Sequence, residues 1–389
     1  MILNKKNYIA AAVLAACAVI SLTACGSSGS SSSQSTQQAQ TTAALTEAAA
    51  QSAGSASDAA SVGAESKAAD QKAADGTEAA SGGNGELVEM DVVLDWYPNA
   101  IHSFLYEAID NGYFAEEGLK VNLITPASGV DSITFAATGK AAIGLTYPIN
   151  TIQAKVNEDM PVAAIGAVTQ VSLGRLAALA ETDITDDMAT LKGKKVGYAG
   201  TGAAEAMINT IIKNAGLEKS DCELIDVGFD LTTSLTTKSV DLVIGTFIND
   251  EIVTMRNAGY DVNVWEYQDY GIPQTYGLIM VANTDDYNAN PEIYKGFLRA
   301  CAKGFKDMKA DEEQVIGMIM SEMNTDDNPL DEKQQRESYE ILIPYMENAD
   351  AEFLSMNDEV WQANIDWMYE SGLISKTADA KDIYIAPEL

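Results

Sequence analysis

Hydrophobic and polar positions divide the 389-residue chain into three stretches. A short apolar run covers 8–22, just behind Lys5 and Lys6. From 26 to 85 the chain is Ser, Ala, Gly, Gln and Thr, with Leu45 and Val62 its only large aliphatic residues and no aromatic one. From Leu87 onward, short apolar runs alternate with amphipathic segments to the end of the chain. The spacing predicts strands at 90–94, 119–124, 142–146 and 162–168, with helices at 103–111, 131–138 and 150–157 between them. A second set follows: strands at 195–198, 222–227, 240–246, 260–265 and 276–282, and helices at 203–215 and 249–258. Past Pro291 the pattern is helical, with helices at 291–308, 312–323 and 357–371. This βα rhythm predicts an α/β protein with parallel sheets covered by helices on both faces. Two such units in succession, followed by a helical tail that packs back on the first, give two doubly wound lobes. A cleft between them, spanned by two chain crossings, is a natural ligand site.

The basic start and apolar run have the layout of a secretory signal, and the run is shorter than the ~20 residues of a membrane-spanning helix. Leu22-Thr23-Ala24-Cys25-Gly26 resembles the bacterial lipobox. That resemblance implies cleavage before Cys25, lipidation of its thiol, and a membrane-anchored mature chain on the extracytoplasmic face. An ordinary signal peptide with an incidental cysteine is the alternative. The polar stretch cannot bury enough apolar area to offset its ordering entropy, so it is expected to be a disordered spacer. The expected organisation is a signal peptide over 1–24, lipidated Cys25 and linker over 25–85, and a folded domain over 86–389. Within that domain lobe one takes 86–178 and 278–389, and lobe two takes 179–277.

With 24 basic against 57 acidic residues, the chain carries a net charge of −33. Nothing neutralises phosphates, so nucleic acid is disfavoured as a partner. Attachment to anionic lipid through basic patches is disfavoured for the same reason, leaving the acyl chains as the membrane anchor. Cys222 and Cys301 are the cysteines available to the folded part, and two buried free thiols are favoured over a bridge between them. No zinc-ligand spacing occurs, His102 is the sole histidine, and no metal or cofactor is expected.

Four segments carry candidate chemistry. Asp95, Trp96, Tyr97, Asn99 and His102 follow the first strand, where open α/β sheets bind ligands. Flat apolar faces beside directional polar atoms suit a small aromatic heterocycle, while a turn with a buried Trp anchor fits the same spacing. Tyr198 to Glu205 is a glycine-rich turn at a helix start. Tyr198 and Thr201 are expected on the lobe-two wall, and Glu205 either reads a ring amino group or completes the first helical turn. No Lys-Ser/Thr pair follows, so the turn is not a P-loop. Phe247 and Asn249 follow another strand, and Tyr276 lies in Tyr270-Gly271-Ile272-Pro273-Gln274-Thr275-Tyr276-Gly277. Tyr147, after the third strand, is a further wall candidate or a packed core tyrosine.

Asp95-Trp96-x-Pro98-Asn99-x-x-His102, with Gly112-Tyr113-Phe114 and Gly118-Leu119-x-Val121, resembles the opening of the NMT1/THI5-like (SsuA/THI5) family. The match continues through Leu191-x-Gly193-Lys194-Lys195-Val196-Gly197-Tyr198, Val240-Asp241-x-Val243-Ile244-Gly245 and Trp361-Gln362 to Gly372-Leu373-Ile374. The resemblance implies a type II periplasmic-binding-protein fold. It also implies a monomeric, non-enzymatic lipoprotein that serves a membrane ABC permease and binds a thiamine pyrimidine precursor, of the hydroxymethyl- or formylamino-pyrimidine kind. A flavin-like vitamin such as riboflavin is second, because Gly277 stands where relatives often carry an acidic residue and could leave room for a larger ring. Asn249 also departs from the family pattern. Sulfonate or nitrate, imported by related families, fits less well because none of the four arginines lies in these motifs. The family's eukaryotic thiamine-pyrimidine synthases use a motif histidine as substrate donor, and His102 matches it. Their cysteine-rich iron motif has no counterpart here, so an enzyme is the weakest reading.

Overall fold

The computed structural model describes residues 87–127 and 131–388. The expected signal segment, Cys25 and the spacer lie outside these residues. In chain order the first elements are β1 (Val88–Val93), α1 (Ser103–Asp110), β2 (Leu119–Ile124), α2 (Asp131–Ala137), β3 (Ile143–Thr146), α3 (Pro148–Asn157) and β4 (Val162–Ala167). Next come β5 (Gly174–Leu179), β6 (Lys195–Tyr198), α4 (Gly202–Asn214), β7 (Glu223–Asp226), α5 (Leu231–Thr236), β8 (Leu242–Phe247), α6 (Glu251–Asn257) and β9 (Val262–Glu266). The chain closes with β10 (Ile279–Asn283), α7 (Pro291–Ala310), α8 (Glu332–Met346) and α9 (Asp358–Glu370).

The strands form two five-stranded sheets, ordered β2-β1-β3-β10-β4 and β7-β6-β8-β5-β9. β1 runs parallel to β2 and β3, and β6 runs parallel to β7 and β8. The sheets are mixed, not parallel throughout as the rhythm suggested: β10 is antiparallel to β3 and β4, and β5 to β8 and β9. Both reversed strands enter directly from a crossing between lobes. Parallel pairing needs a helical crossover, and neither strand has one before it. β5 escapes the sequence pattern because it is buried along its whole length with Arg175 inside it. Residues 174–178, expected with the first lobe, therefore lie in the second sheet.

Helices cover both faces of each sheet. On one face of the first, α1 and α7 approach so closely that a Cβ on Gly304 would sit 2.1 Å from the Phe104 carbonyl oxygen. Phe104, Phe297, Phe305 and Phe353 fill that core, and Trp361, Ile365 and Met368 of α9 fill the other face. In the second lobe, Ile208 and Ile211 of α4 pack on one face, while Leu231 of α5 and Ile252 of α6 pack on the other. The tail returns to the first sheet, where Ile385 N–H donates to the Ala164 carbonyl at 2.8 Å. Cys222 and Cys301 are free thiols, Cys301 buried as expected and Cys222 only partly buried, which corrects the expectation of two buried thiols. Among the described residues no helix is long and apolar enough to cross a membrane.

The two crossings are bonded to each other. Val168 and Thr169 both donate backbone N–H groups to the Leu278 carbonyl, at 2.8 and 3.1 Å, and Leu278 N–H donates to Thr169 Oγ1 at 3.0 Å. A Cβ on Gly277 would lie 2.2 Å from Thr169 Oγ1. Gly277 thus lets the crossings lie side by side. Its space is filled by protein, and the expectation that it makes room for a larger ring is corrected.

Candidate functional site

The carboxyl ends of the parallel strands carry Asp95 after β1, Tyr147 after β3, Tyr198 at the end of β6 and Phe247 at the end of β8. The Tyr147 and Phe247 rings stand 6.0 Å apart at 50°, so the ends of the two sheets meet across the lobes. Ligands of open α/β sheets bind at these ends. A 660 Å³ cavity at the opposite end of the first sheet is lined by residues such as Asp91, Thr138, Lys140 and Asn283, with no aromatic side chain among its walls.

Asp95 is the hub of the lobe-one side. His102 Nε2 stands 2.9 Å from its Oδ1, and the Tyr147 hydroxyl donates to its Oδ2 at 2.6 Å. His102 is fully buried, and its Nδ1 accepts the Asn99 backbone N–H at 3.2 Å. Nδ1 therefore carries no proton, and Nε2–H is the donor to Asp95. Asn99 completes a reciprocal cap by accepting the Ile101 N–H on its Oδ1 at 3.1 Å. Gln335 of α8 fixes the same turn by accepting the Ala100 N–H at 2.9 Å. Burial alone would raise the Asp95 carboxyl, but the bonds from His102 and Tyr147 outweigh it and hold Asp95 below the usual carboxylate range. Burial, then the adjacent Asp95 charge, pushes the Tyr147 hydroxyl well above its ordinary value.

This arrangement reassigns two expected ligand contacts. His102 is bonded to Asp95 and to the Asn99 N–H, and the Asn99 side chain to the Tyr97 carbonyl and the Ile101 N–H, so the polar atoms of both are committed within the protein. The same rigid turn presents Trp96 and Tyr97 outward, 53% and 43% exposed, with rings 5.8 Å apart at 82°. The alternative of a buried Trp anchor is therefore set aside.

On the lobe-two side Tyr198 is half-buried at the end of β6. Gly200 follows at φ +67°, where a Cβ would lie 2.4 Å from the Asp226 carboxylate, so only glycine fits the turn. Thr201 is exposed and caps α4, its Oγ1 accepting the Ala204 N–H at 3.2 Å. Glu205 sits in the first turn of α4 and is ion-paired with Lys219. Asn249 is buried and donates from Nδ2 to Ser338 Oγ of α8 at 3.2 Å, while its Oδ1 has no partner among the described residues.

Tyr276 is not at the cleft. It is 3% exposed, its hydroxyl accepts the Asn357 N–H at 2.8 Å, and its ring leans on Trp361 at 5.7 Å. It belongs to the core under α9, a correction that turns on packing against the distant tail.

Two carboxylates absent from the expected site lie beside Phe247. Glu251 Oε2 accepts the Phe247 N–H at 2.8 Å, and Asp250 Oδ1 accepts from Gln334 Nε2 at 2.7 Å. Burial, with the Asp250 charge added, pushes Glu251 up to about 7. Burial also raises Asp250, partly offset by the Gln334 bond. In sequence both read as ordinary first-turn residues of a helix. The available signal was two carboxylates directly after a strand end.

Residues 99–315 match the family model described as NMT1/THI5 like. The formylaminopyrimidine-binding protein of Halalkalibacterium halodurans is 34% identical over 298 residues, covering 77% of this chain and 90% of that protein. The 4-amino-5-hydroxymethyl-2-methylpyrimidine phosphate synthase of Aspergillus parasiticus is 30% identical over 216 residues, covering 53% of this chain and 62% of that protein. Among solved structures, the periplasmic aliphatic sulphonate binding protein SsuA of Escherichia coli superposes with a TM-score of 0.60. That likeness covers 76% of this chain and 97% of that one at 16% identity. The two mixed five-stranded sheets accordingly form a type II periplasmic-binding-protein fold. On its matched length and its identity to the Halalkalibacterium protein, the chain belongs to the NMT1/THI5-like family.

Proposed function

We propose that this chain is an extracytoplasmic substrate-binding lipoprotein, anchored through Cys25, that captures a thiamine pyrimidine precursor for an ABC permease. The observation that carries the reading is the Asp95 carboxylate, fixed by His102 and Tyr147 and followed directly in the chain by the exposed rings of Trp96 and Tyr97. An ionised carboxylate only accepts hydrogen bonds, and each Asp95 oxygen uses one lone pair within the protein. The remaining lone pairs suit the amino group of an aminopyrimidine, while the indole of Trp96 suits its ring face. Tyr198 and Phe247 supply the opposite wall. Tighter binding to the closed lobes than to the open ones drives closure, and the closed monomer is the form presented to the permease. The formylaminopyrimidine-binding relative supports this ligand class.

Arginine usage argues against an oxyanion. Arg175 pairs with Glu266, Arg299 with Glu117, and Arg336 with Glu312 and Glu313. The test is a thermal-shift comparison of the full-length chain with 4-amino-5-hydroxymethyl-2-methylpyrimidine, formylaminopyrimidine, riboflavin and an alkanesulfonate. At 100 times its dissociation constant a ligand adds about 2.7 kcal/mol. Stabilisation by either pyrimidine alone supports the reading, and stabilisation by the sulfonate alone overturns it.

A further inference from the structure

Phe229 is 85% exposed, more than any other large hydrophobic residue among the described residues. It follows β7, an edge strand of the second sheet, and β7 runs parallel to β6, which ends at Tyr198. Its loop therefore opens at the same carboxyl end as Tyr198 and Phe247. β7 is also separated from β5, the strand of the interlobe crossing, by β6 and β8. Phe229 thus stands on the outer side of the cleft, away from the crossings.

The loop is built, not loose. Val227 N–H donates to the Tyr198 carbonyl at 2.9 Å, tying it to the candidate wall. Asp226 Oδ1 accepts the Gly228 N–H at 2.9 Å, and Asp230 N–H donates to the Val227 carbonyl at 3.1 Å. Gly228 takes φ +56°. Residues 227–230 are a closed turn that holds Phe229 at its third position, with glycine supplying the left-handed step before it. Asp226 is also the carboxylate against which Gly200 packs, so this turn and the Tyr198–Thr201 turn form one unit. A phenyl ring fixed in water on a braced turn contributes nothing to the core.

We infer that Phe229 is a specificity-determining residue of the cleft: it is the outer aromatic lip of lobe two, covering the heteroaromatic ring that Trp96 and Tyr97 meet from lobe one. The inference rests on the reading of the cleft as a pyrimidine site and adds a residue to it. Exposed aromatic rings then stand on both lobes at carboxyl strand ends, and a flat guest between them removes apolar surface from water on both sides. Phe229 contributes only when lobe two has closed, so its effect falls on the dissociation rate.

The experiment measures the affinity and dissociation rate of 4-amino-5-hydroxymethyl-2-methylpyrimidine for the full-length wild type, Phe229→Ala and Phe229→Tyr. Because Phe229 is exposed, neither substitution disturbs packing. The expected result is about ten-fold weaker binding for Phe229→Ala, through faster dissociation, with Phe229→Tyr close to wild type. Unchanged affinity in Phe229→Ala overturns the inference while leaving the pyrimidine reading intact. If uptake by cells is lost at unchanged affinity, the ring meets the permease instead, which also overturns it. A loss that Phe229→Tyr shares overturns it too, since that variant keeps the ring. A wild type that binds neither this pyrimidine nor formylaminopyrimidine overturns the pyrimidine reading and this inference with it.

Discussion

His102 serves Asp95: one ring nitrogen donates to the carboxylate at 2.9 Å, and the other accepts the backbone N–H that opens the same turn. In this chain the Asn99-x-x-His102 spacing thus makes a capped turn whose histidine is bonded to Asp95. His102→Ala removes a donor to a buried carboxylate and one half of the cap. Stability should fall by about 2 kcal/mol, read by urea denaturation, and pyrimidine affinity should fall with it. Lower stability with full affinity would show that the guest does not depend on Asp95.

Trp96→Ala tests the opposite pattern. The indole is half in water, so its loss should move stability by no more than about 0.5 kcal/mol. Pyrimidine affinity should drop about ten-fold in a calorimetric titration, because the stacking face is gone. Equal affinity would place the guest elsewhere.

Glu251 sets a pH dependence of stability. Its folded carboxyl is raised to about 7 from an ordinary 4.5, chiefly by burial. Between these values the folded chain keeps a proton that the unfolded chain has released. This group's contribution to stability therefore declines as pH rises from 4.5 to about 7 and is level above. Glu251→Gln keeps an acceptor for the Phe247 N–H and abolishes the decline. At pH 8 the variant should be more stable than wild type by on the order of 1–3 kcal/mol, and at pH 4 the two should agree. A pH-independent difference in urea midpoints would refute the assignment.

Cys25→Ser tests the anchor. Expressed in a bacterium that processes lipoproteins, the full-length wild type should fractionate with membranes and carry acyl mass. The variant should lose both. Membrane retention of an unacylated variant would mean another mode of attachment.

The alternation of strands and helices was readable because each apolar run is short and punctuated: Asn111-Gly112 stops α1, and Gly216 follows α4. β5 was not readable. A strand buried on both faces lacks alternation, and Arg175 inside it reads as surface until its partners Tyr345 and Glu266 are known. At the site, the place of Trp96 and Tyr97 after β1 followed from residue order, and their exposure is what the structure adds. The service role of His102 did not, because it depends on a tautomer set by the Asn99 backbone. Tyr276 looked like a cleft residue for want of Trp361 and Asn357, which reach it from the far end of the chain. Gly277 looked like empty space, since only the neighbouring crossing shows what occupies it.

Helix α8 grips the Asn99–His102 turn through Gln335, and the loop after β8 through Gln334 and Ser338. Beside these hydrogen bonds, Phe247 and Ile248 of the same loop pack on the apolar core of the first lobe. Water can substitute for the Gln334 and Ser338 bonds to that loop when the lobes swing apart, so each is regained from solvent at a net difference of about 1 kcal/mol, while the Gln335 bond stays within lobe one. Opening the jaw therefore gives up little in hydrogen bonding, and the apolar contact of Phe247 and Ile248 is the part that water does not replace.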